Sequence, residues 1–396
     1  GVDALEYTVL AAERIGTTTP VGAFWLIDRE GYNKAVAWQQ TYGNTVKPGD
    51  PMLYGRDWYV NANNQKIGIR TYEPYEYMLK EWAPTQTHNL SVNGKAGKTD
   101  FNIALGYLDQ SGMMKTAKQD DFRRWNGSIR VNTQVKKWLS IHAGAMYSKR
   151  DKRYAYATSS STADVWYYMF RWGPTFPWVD EDNGKPTRNP VYETSSANTA
   201  NRTTNYTSFN AGLVLTPLKD WNIELDYTHA NQEYIINTPG YSFTAGNTWG
   251  SPVARNNADG TRMYVNSAGE KVSATDPGAM PAYQLDYYNY TSAGANPDHM
   301  YRESENSMRN TINLTSNYKW VLSDRHTFDF LLGMSAITYD EASHWAQKTT
   351  LIDITNPQFT LANGTQTGGG EEAWESQLGY FARVNYNFAE KYLLEA

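Results

Sequence analysis

From residue 86 onward, apolar and polar side chains alternate with a two-residue period, the signature of strands whose two faces meet different surroundings. The clearest stretch sets Trp221, Ile223, Leu225 and Tyr227 against Asn222, Glu224, Asp226 and Thr228. Phe101, Ile103, Leu105 and Tyr107 alternate with Asn102, Ala104 and Gly106. Near the end, Leu378, Tyr380, Ala382, Val384, Tyr386 and Phe388 alternate with Gln377, Gly379, Arg383, Asn385 and Asn387. The period predicts strands over 86–94, 99–108, 121–132, 138–149, 204–216, 221–235, 307–320, 325–339 and 376–388, with a tenth starting at Tyr392. Most reach the roughly 9 to 11 residues that a tilted strand needs to cross a bilayer, against about 5 to 6 for an ordinary globular strand. Residues 1–85 do not alternate, and short helices are expected over 33–42 and 75–82.

The links between these strands alternate in length. Those at 95–98, 133–137, 217–220, 321–324 and 389–391 are short, and those at 109–120, 150–203, 236–306 and 340–375 are long. In an up-and-down sheet every second link emerges at the same end, so one end carries only turns and the other all the long loops. That asymmetry is the pattern of an outer-membrane barrel, with periplasmic turns and extracellular loops. It predicts an all-β fold, an antiparallel transmembrane β-barrel segment over 86–396, with 1–85 as an extracellular loop region. The polar positions Asn222, Glu224, Asp226, Arg383 and Asn385 are then expected to face the lumen.

Aromatic residues collect at the short turns. Trp138 and Trp221 follow such turns, Trp320 precedes one, and Phe388 and Tyr392 flank another. Indole and phenol rings settle at lipid–water interfaces because they are apolar with one hydrogen-bonding edge, so these five are expected to form a membrane-interface girdle. The alternative is that they plug the base of a soluble barrel or sandwich.

Composition sharpens this picture. The mean hydropathy of -0.66 excludes a chain of apolar transmembrane helices but not a barrel, whose two-faced strands score as hydrophilic. With 36 Lys+Arg against 41 Asp+Glu, no nucleic-acid footprint is present. The chain has no cysteine, hence no disulfide framework or thiolate chemistry. Its start, Gly1-Val2-Asp3, lacks the pattern of a secretory leader, so the protein is expected either not to be exported or to lack its natural N-terminus.

Candidate chemistry is sparse. The 6 histidines share no metal-ligand spacing, and no nucleophile elbow, phosphate loop or dinucleotide fingerprint occurs, so neither catalysis nor a cofactor is expected. Asp180 and Asp182, in Asp180-Glu181-Asp182-Asn183-Gly184, resemble the opening of a calcium loop without its later Glu. A solvated Asn-Gly turn is the plainer reading. The long links are rich in rings: Trp166, Tyr167, Tyr168, Trp172, Phe176 and Trp178 in one, Tyr287 and Tyr288 in the next. Such rings suit stacking on sugars or gripping a peptide or partner protein. They equally suit the private cores that long loops build for themselves.

Two stretches resemble a known family. Gln86 to Gly94 (QTHNLSVNG) followed by Phe101 to Gly112 (FNIALGYLDQSG) resembles the first tight hairpin of SusC/RagA TonB-linked outer-membrane transporters. Leu378 to Phe388 (LGYFARVNYNF), continuing into Lys391 to Ala396 (KYLLEA), resembles the family's late strand pair. The resemblance covers 86–396 and implies a plugged barrel of 22 strands. It also implies import of large nutrients as the barrel component of a SusCD-like complex, with oligosaccharides expected ahead of peptides because the loop rings slightly favour stacking on sugars. The partners implied are a SusD-like surface lipoprotein and the TonB-ExbB-ExbD energy-coupling complex. With about ten strands, no plug and no TonB box, the chain is expected to be part of a longer protein, since unpaired strand edges are costly in lipid. The rival class is a secreted β-rich glycan-binding protein or glycoside hydrolase, although the spacing shows no propeller-like repeat of about 40 to 50 residues.

Overall fold

The computed structural model describes residues 2–17, 27–156, 173–291 and 298–396. Its dominant element is a 10-stranded antiparallel sheet. The strands, labelled β1 to β10 in chain order, are Thr85–Ala96, Thr99–Ser111, Asp121–Lys136, Leu139–Ala155, Thr199–Leu218, Trp221–Pro239, His299–Ser323, His326–Thr349, Gln366–Phe388 and Tyr392–Glu395. Each pairs with the next in sequence. All ten lie where the two-residue period puts them.

The strands begin or end at the short turns as expected but run further at the other end. β7 starts at His299 rather than 307, β8 runs to Thr349 rather than 339, and β9 starts at Gln366 rather than 376. The extra residues form continuous ladders, for example His299 opposite Thr349 and Lys348 opposite Gln366. These ends lie beyond the apolar stretch, where neither face requires grease. Their backbone pairing persists while their alternation does not.

The short turns are built for tight reversal. Gly97 closes the β1–β2 turn at φ 61°, and Asp220 the β5–β6 turn at φ 64°, a left-handed conformation that Gly adopts freely and Asp tolerates. Before β10, Ala389 and Glu390 both take positive φ, and Asn387 Oδ1 accepts a bond from the Glu390 N–H at 2.9 Å to hold the turn.

Register assembles the apolar positions into one face. Leu225 lies opposite Leu213 on one side and Leu314 on the other, Leu314 opposite Met334, and Met334 opposite Tyr380. In the other direction Leu213 pairs with Ile141, and Ile103 pairs with Val92 and Ile129. This belt takes about five positions per strand, or about nine residues and roughly 27 Å of strand, which suits a lipid-facing band of about 25 Å crossed at a tilt. Among the described residues nothing covers it: Leu90, Leu332 and Leu378 stay about three-fifths exposed. Of the Ala, Val, Ile, Leu, Met, Phe, Trp and Tyr side chains on the ten strands, only Ala200 is buried. The chain exposes 22731 Å², against about 15,700 Å² for a compact soluble chain of this mass.

The hydrophobic core lies in a cap at the long-link end. Helices α1 (Val2–Arg14) and α2 (Arg29–Tyr42) pack on the hairpin formed by Trp58–Val60 and Lys66–Gly68, burying Leu5, Val9, Ala35, Trp38 and Ile67. The Asp28 carboxylate caps α2, accepting from the Gly31 N–H at 2.7 Å. Further helices, α3 (Pro74–Met78) and α4 (Pro190–Ser196), precede β1 and β5. A second cluster joins Met52, Trp58 and Met78 to Phe176, Trp178, Val265 and Leu285 from the long links. Backbone bonds stitch the N-terminal segment to those links: Met52 N–H to the Asp180 carbonyl at 2.8 Å and Tyr72 N–H to that of Pro174 at 2.7 Å.

The two faces predict opposite responses to charge. In a bilayer, Leu225→Arg on the apolar face should destabilise the folded chain by about 2–4 kcal/mol. Thr228→Arg, on the other face of β6, should change it by no more than about 0.5 kcal/mol. Urea-induced unfolding from liposomes measures both.

Candidate functional site

The polar face of the sheet brings the five expected lumen positions together on one side. Asp226 lies between Gly212 and Asn313, and Asn313 faces Ser335. Asn222 is opposite Asn317, Asn317 opposite Leu331, and Leu331 opposite Arg383, while Asn385 faces Asp329. Glu224 shares this face by the period of β6. The groups bond along it: the Thr216 hydroxyl donates to Asn222 Oδ1 at 2.9 Å and the Ser335 hydroxyl to Asn313 Oδ1 at 2.8 Å. His142 Nε2 and Asp226 Oδ1 are 2.6 Å apart. His142 has no signal in linear spacing, and only the pairing of β4 through β5 to β6 brings it to Asp226.

On the apolar face, rings cluster where the belt meets the short turns. Trp221 meets Tyr318 edge-on at 6.3 Å, Trp320 meets Phe328 at 5.7 Å, and Phe388 meets Tyr392 at 6.3 Å. Trp221 Nε1 donates to Ser316 Oγ at 3.0 Å. Trp138 stands in the β3–β4 turn and is 53% exposed. A second band, which sequence reasoning missed, marks the opposite rim. Tyr107 packs on Trp125 at 4.1 Å, Tyr147 and Phe209 are exposed beside them, and the Tyr227 hydroxyl donates to Asn310 Oδ1 at 2.8 Å. These rings sit in mid-strand, so only the register reveals that they form a row.

The loop aromatics divide. Phe176 and Trp178 are buried in the cap core and present no surface to a ligand, because the long links fold against the N-terminal segment. Tyr287 is half-buried, its hydroxyl donating to Glu181 and its ring lying 4.5 Å beneath the Lys185 ammonium. Tyr288 stays 51% exposed. Trp166, Tyr167, Tyr168 and Trp172 lie outside the described residues. The acidic stretch at 180–184 is a turn, with Gly184 at φ 75° and the Lys185 N–H donating to Asn183 Oδ1 at 2.9 Å. Arg255 pairs with Asp182 at 2.6 Å. Asp182 thus serves the loop, and among the described residues no third His, Asp or Glu side chain joins Asp180 and Asp182 within ligating distance. Among the described residues, the only His/Asp/Glu trio within ligating distance is His142, Glu224 and Asp226.

Buried charges lock the cap. Asp57 accepts from Trp38 Nε1 at 2.9 Å, from Arg56 at 2.7 Å and from the Leu53 N–H at 2.9 Å. Lys66 reaches across to Asp286 and to the Asn247 carbonyl, and burial pulls its ammonium pKa down. Burial pushes the Glu181 carboxyl up against the opposing bonds from Tyr287 and the Leu285 N–H. Glu193 is driven furthest. Burial raises it to about 7 despite the pull of Arg188, which donates to it at 2.9 Å.

No family model matches the chain, and no curated protein matches its sequence. Solved structures do. A chain in the structure of the RagAB peptide transporter aligns with 100% of this one at a TM-score of 0.57 and 15% identity. The chain has the fold of part of that transporter. The RagAB peptide importer in its closed-closed state aligns with 90% at 0.53 and 16% identity, and in its open-open state with 90% at 0.52 and 15% identity. The chain spans 36% of the first of these chains and 34% of the other two. The two hairpins that resemble the SusC/RagA family thus lie in a chain whose structural neighbours are RagAB chains.

Glu193 gives the cap a pH dependence. Its carboxyl holds a proton more tightly folded than unfolded, so stability falls as pH rises from about 4.5 through about 7, with the full cost present above. Glu193→Gln should therefore stabilise the cap at pH 8 by on the order of 2 kcal/mol and leave it unchanged at pH 4. Thermal melts followed by tryptophan fluorescence at the two pH values read the difference. An equal shift at both would detach the effect from ionisation.

Proposed function

We propose that the chain forms part of the wall and the outer loops of a bacterial outer-membrane importer of the SusC/RagA kind. The observation that carries this reading is the unbroken apolar face across all ten strands, with only tight turns at one edge and all long links at the other. A soluble barrel or sandwich hides its greasy face inside, and here the buried core lies elsewhere. The rings at both rims fit the two interfaces of a bilayer. The polar face, with Asn222, Glu224, Asp226, Arg383 and Asn385, then lines the lumen. In lipid, β1 and β10 need pairing partners, which further strands of a larger closed barrel of 22 would supply.

On this reading the cap lies outside the cell, where a SusD-like surface lipoprotein closes over it. Energy comes from the TonB-ExbB-ExbD complex on the periplasmic side. The cargo is a nutrient too large for a passive pore, an oligosaccharide or a peptide. The preference for sugar rested on exposed loop rings, and the burial of Phe176 and Trp178 removes part of that ground. The matched chains belong to a peptide transporter, so peptides are the first ligands to test.

Fractionation tests the membrane assignment. The full-length protein should sediment with outer membranes and need detergent to stay monomeric, and a monomer soluble without detergent would overturn the reading. Binding separates the loop rings. Tyr288→Ala should weaken capture of the cargo by about tenfold, the loss of one stacking contact, with the cap intact. Phe176→Ala should instead destabilise the cap by about 3–5 kcal/mol.

A further inference from the structure

The polar face holds one place where metal-ligating groups converge, half-way along the belt. His142 on β4 and Glu224 and Asp226 on β6 present a ring nitrogen and two carboxylate oxygens within 4.8 Å of one another. β4 and β6 are not neighbours, and the register shows how their side chains meet. His142 pairs with Gly212 of β5, and Gly212 pairs with Asp226, so the intervening strand has no side chain at the crossing. A Cβ at 212 would lie 2.3 Å from His142 Nε2 and 2.4 Å from Asp226 Oδ1, so any other residue there would drive the two apart.

The charges around the trio are unbalanced. Glu224 and Asp226 stand two residues apart on the same face, and among the described residues Glu224 makes no ion pair. The positions flanking Asp226 across the sheet are neutral, Gly212 and Asn313. On the apolar side Ile223 and Leu225 flank Glu224, and Ile141 and Ala143 flank His142, so the trio sits half-way along the belt on its polar side.

We propose that His142, Glu224 and Asp226 bind one divalent transition-metal ion of the Zn²⁺, Mn²⁺, Fe²⁺ or Co²⁺ class. One imidazole with two carboxylates is a donor set for these ions, whereas Ca²⁺ takes six to eight oxygens. A dication neutralises the two carboxylates, and ligation uses the neutral imidazole. Bonds of about 2.0–2.2 Å fit between the three donors once the His142–Asp226 contact opens slightly. The remaining coordination positions point away from the sheet, open to water or to a donor atom of a molecule moving along the polar face. Gly212 is the positioning residue. The proposal rests on register and donor chemistry, so it stands or falls independently of the transport reading.

The test uses the tag-free full chain in detergent, with Co²⁺ as the probe followed by its visible absorption and Zn²⁺ as competitor. The wild type should bind one equivalent. His142→Ala should weaken binding at least 100-fold. Glu224→Gln, a conservative change at an exposed position that spares the fold, should weaken it at least tenfold. Gly212→Val, which keeps all three ligands, should also weaken it at least tenfold, and His229→Ala should leave it unchanged. Absence of saturable one-equivalent binding to the wild type would overturn the proposal, as would equal affinity in the wild type, His142→Ala and Glu224→Gln.

Discussion

Inside a bilayer no water is present to satisfy a backbone N–H or carbonyl, so every one must find its partner in the protein. On the proposed membrane reading, the ten-stranded sheet meets that demand with long uninterrupted ladders, and the alternation of its side chains follows from it. Once strands are the only permitted crossing element here, one face must be apolar against lipid and the other is free to be polar. The belt, the two rows of rings, the tight turns at one rim and the polar wall are consequences of that constraint.

The cap obeys a different one. Above the belt the long links are surrounded by water and must bury a core of their own to be ordered. They do so by packing Phe176, Trp178 and Leu285 against Met52, Trp58 and Met78. Buried ion pairs of the kind made by Asp57 and Lys66 add little net stability over apolar packing, yet removing one partner is costly. Asp57 ties α2 to the loop and hairpin that follow it, and the Lys66–Asp286 pair ties that hairpin to the β6–β7 link. The cap is thus an ordered unit, and of the expected ligand rings among the described residues Tyr288 is the one that stays exposed.

The strands were legible because each has two faces in different surroundings, lipid and lumen on the proposed reading, and so carries the same two-residue code. Their outer extensions were not, because beyond the belt that code lapses: nothing in the composition of 299–306 separates a ladder from a loop. The cap core was illegible for a further reason. Trp178 and Tyr288 read alike as loop aromatics, and only contacts between segments more than a hundred residues apart make one a core residue and the other a surface ring. His142 shows the same limit at the metal-ligating trio. Its partner Asp226 is 84 residues away, and the glycine that lets them meet lies on a third strand.

The central claim is that the two faces of the sheet meet different media. The chain has no cysteine, so single-cysteine variants at each position from 221 to 228 can carry an environment-sensitive label one at a time in bilayers containing a lipid-attached quencher. The account predicts strong quenching at 221, 223, 225 and 227 and weak quenching at 222, 224, 226 and 228. Uniform quenching along β6, or none at any position, would contradict it.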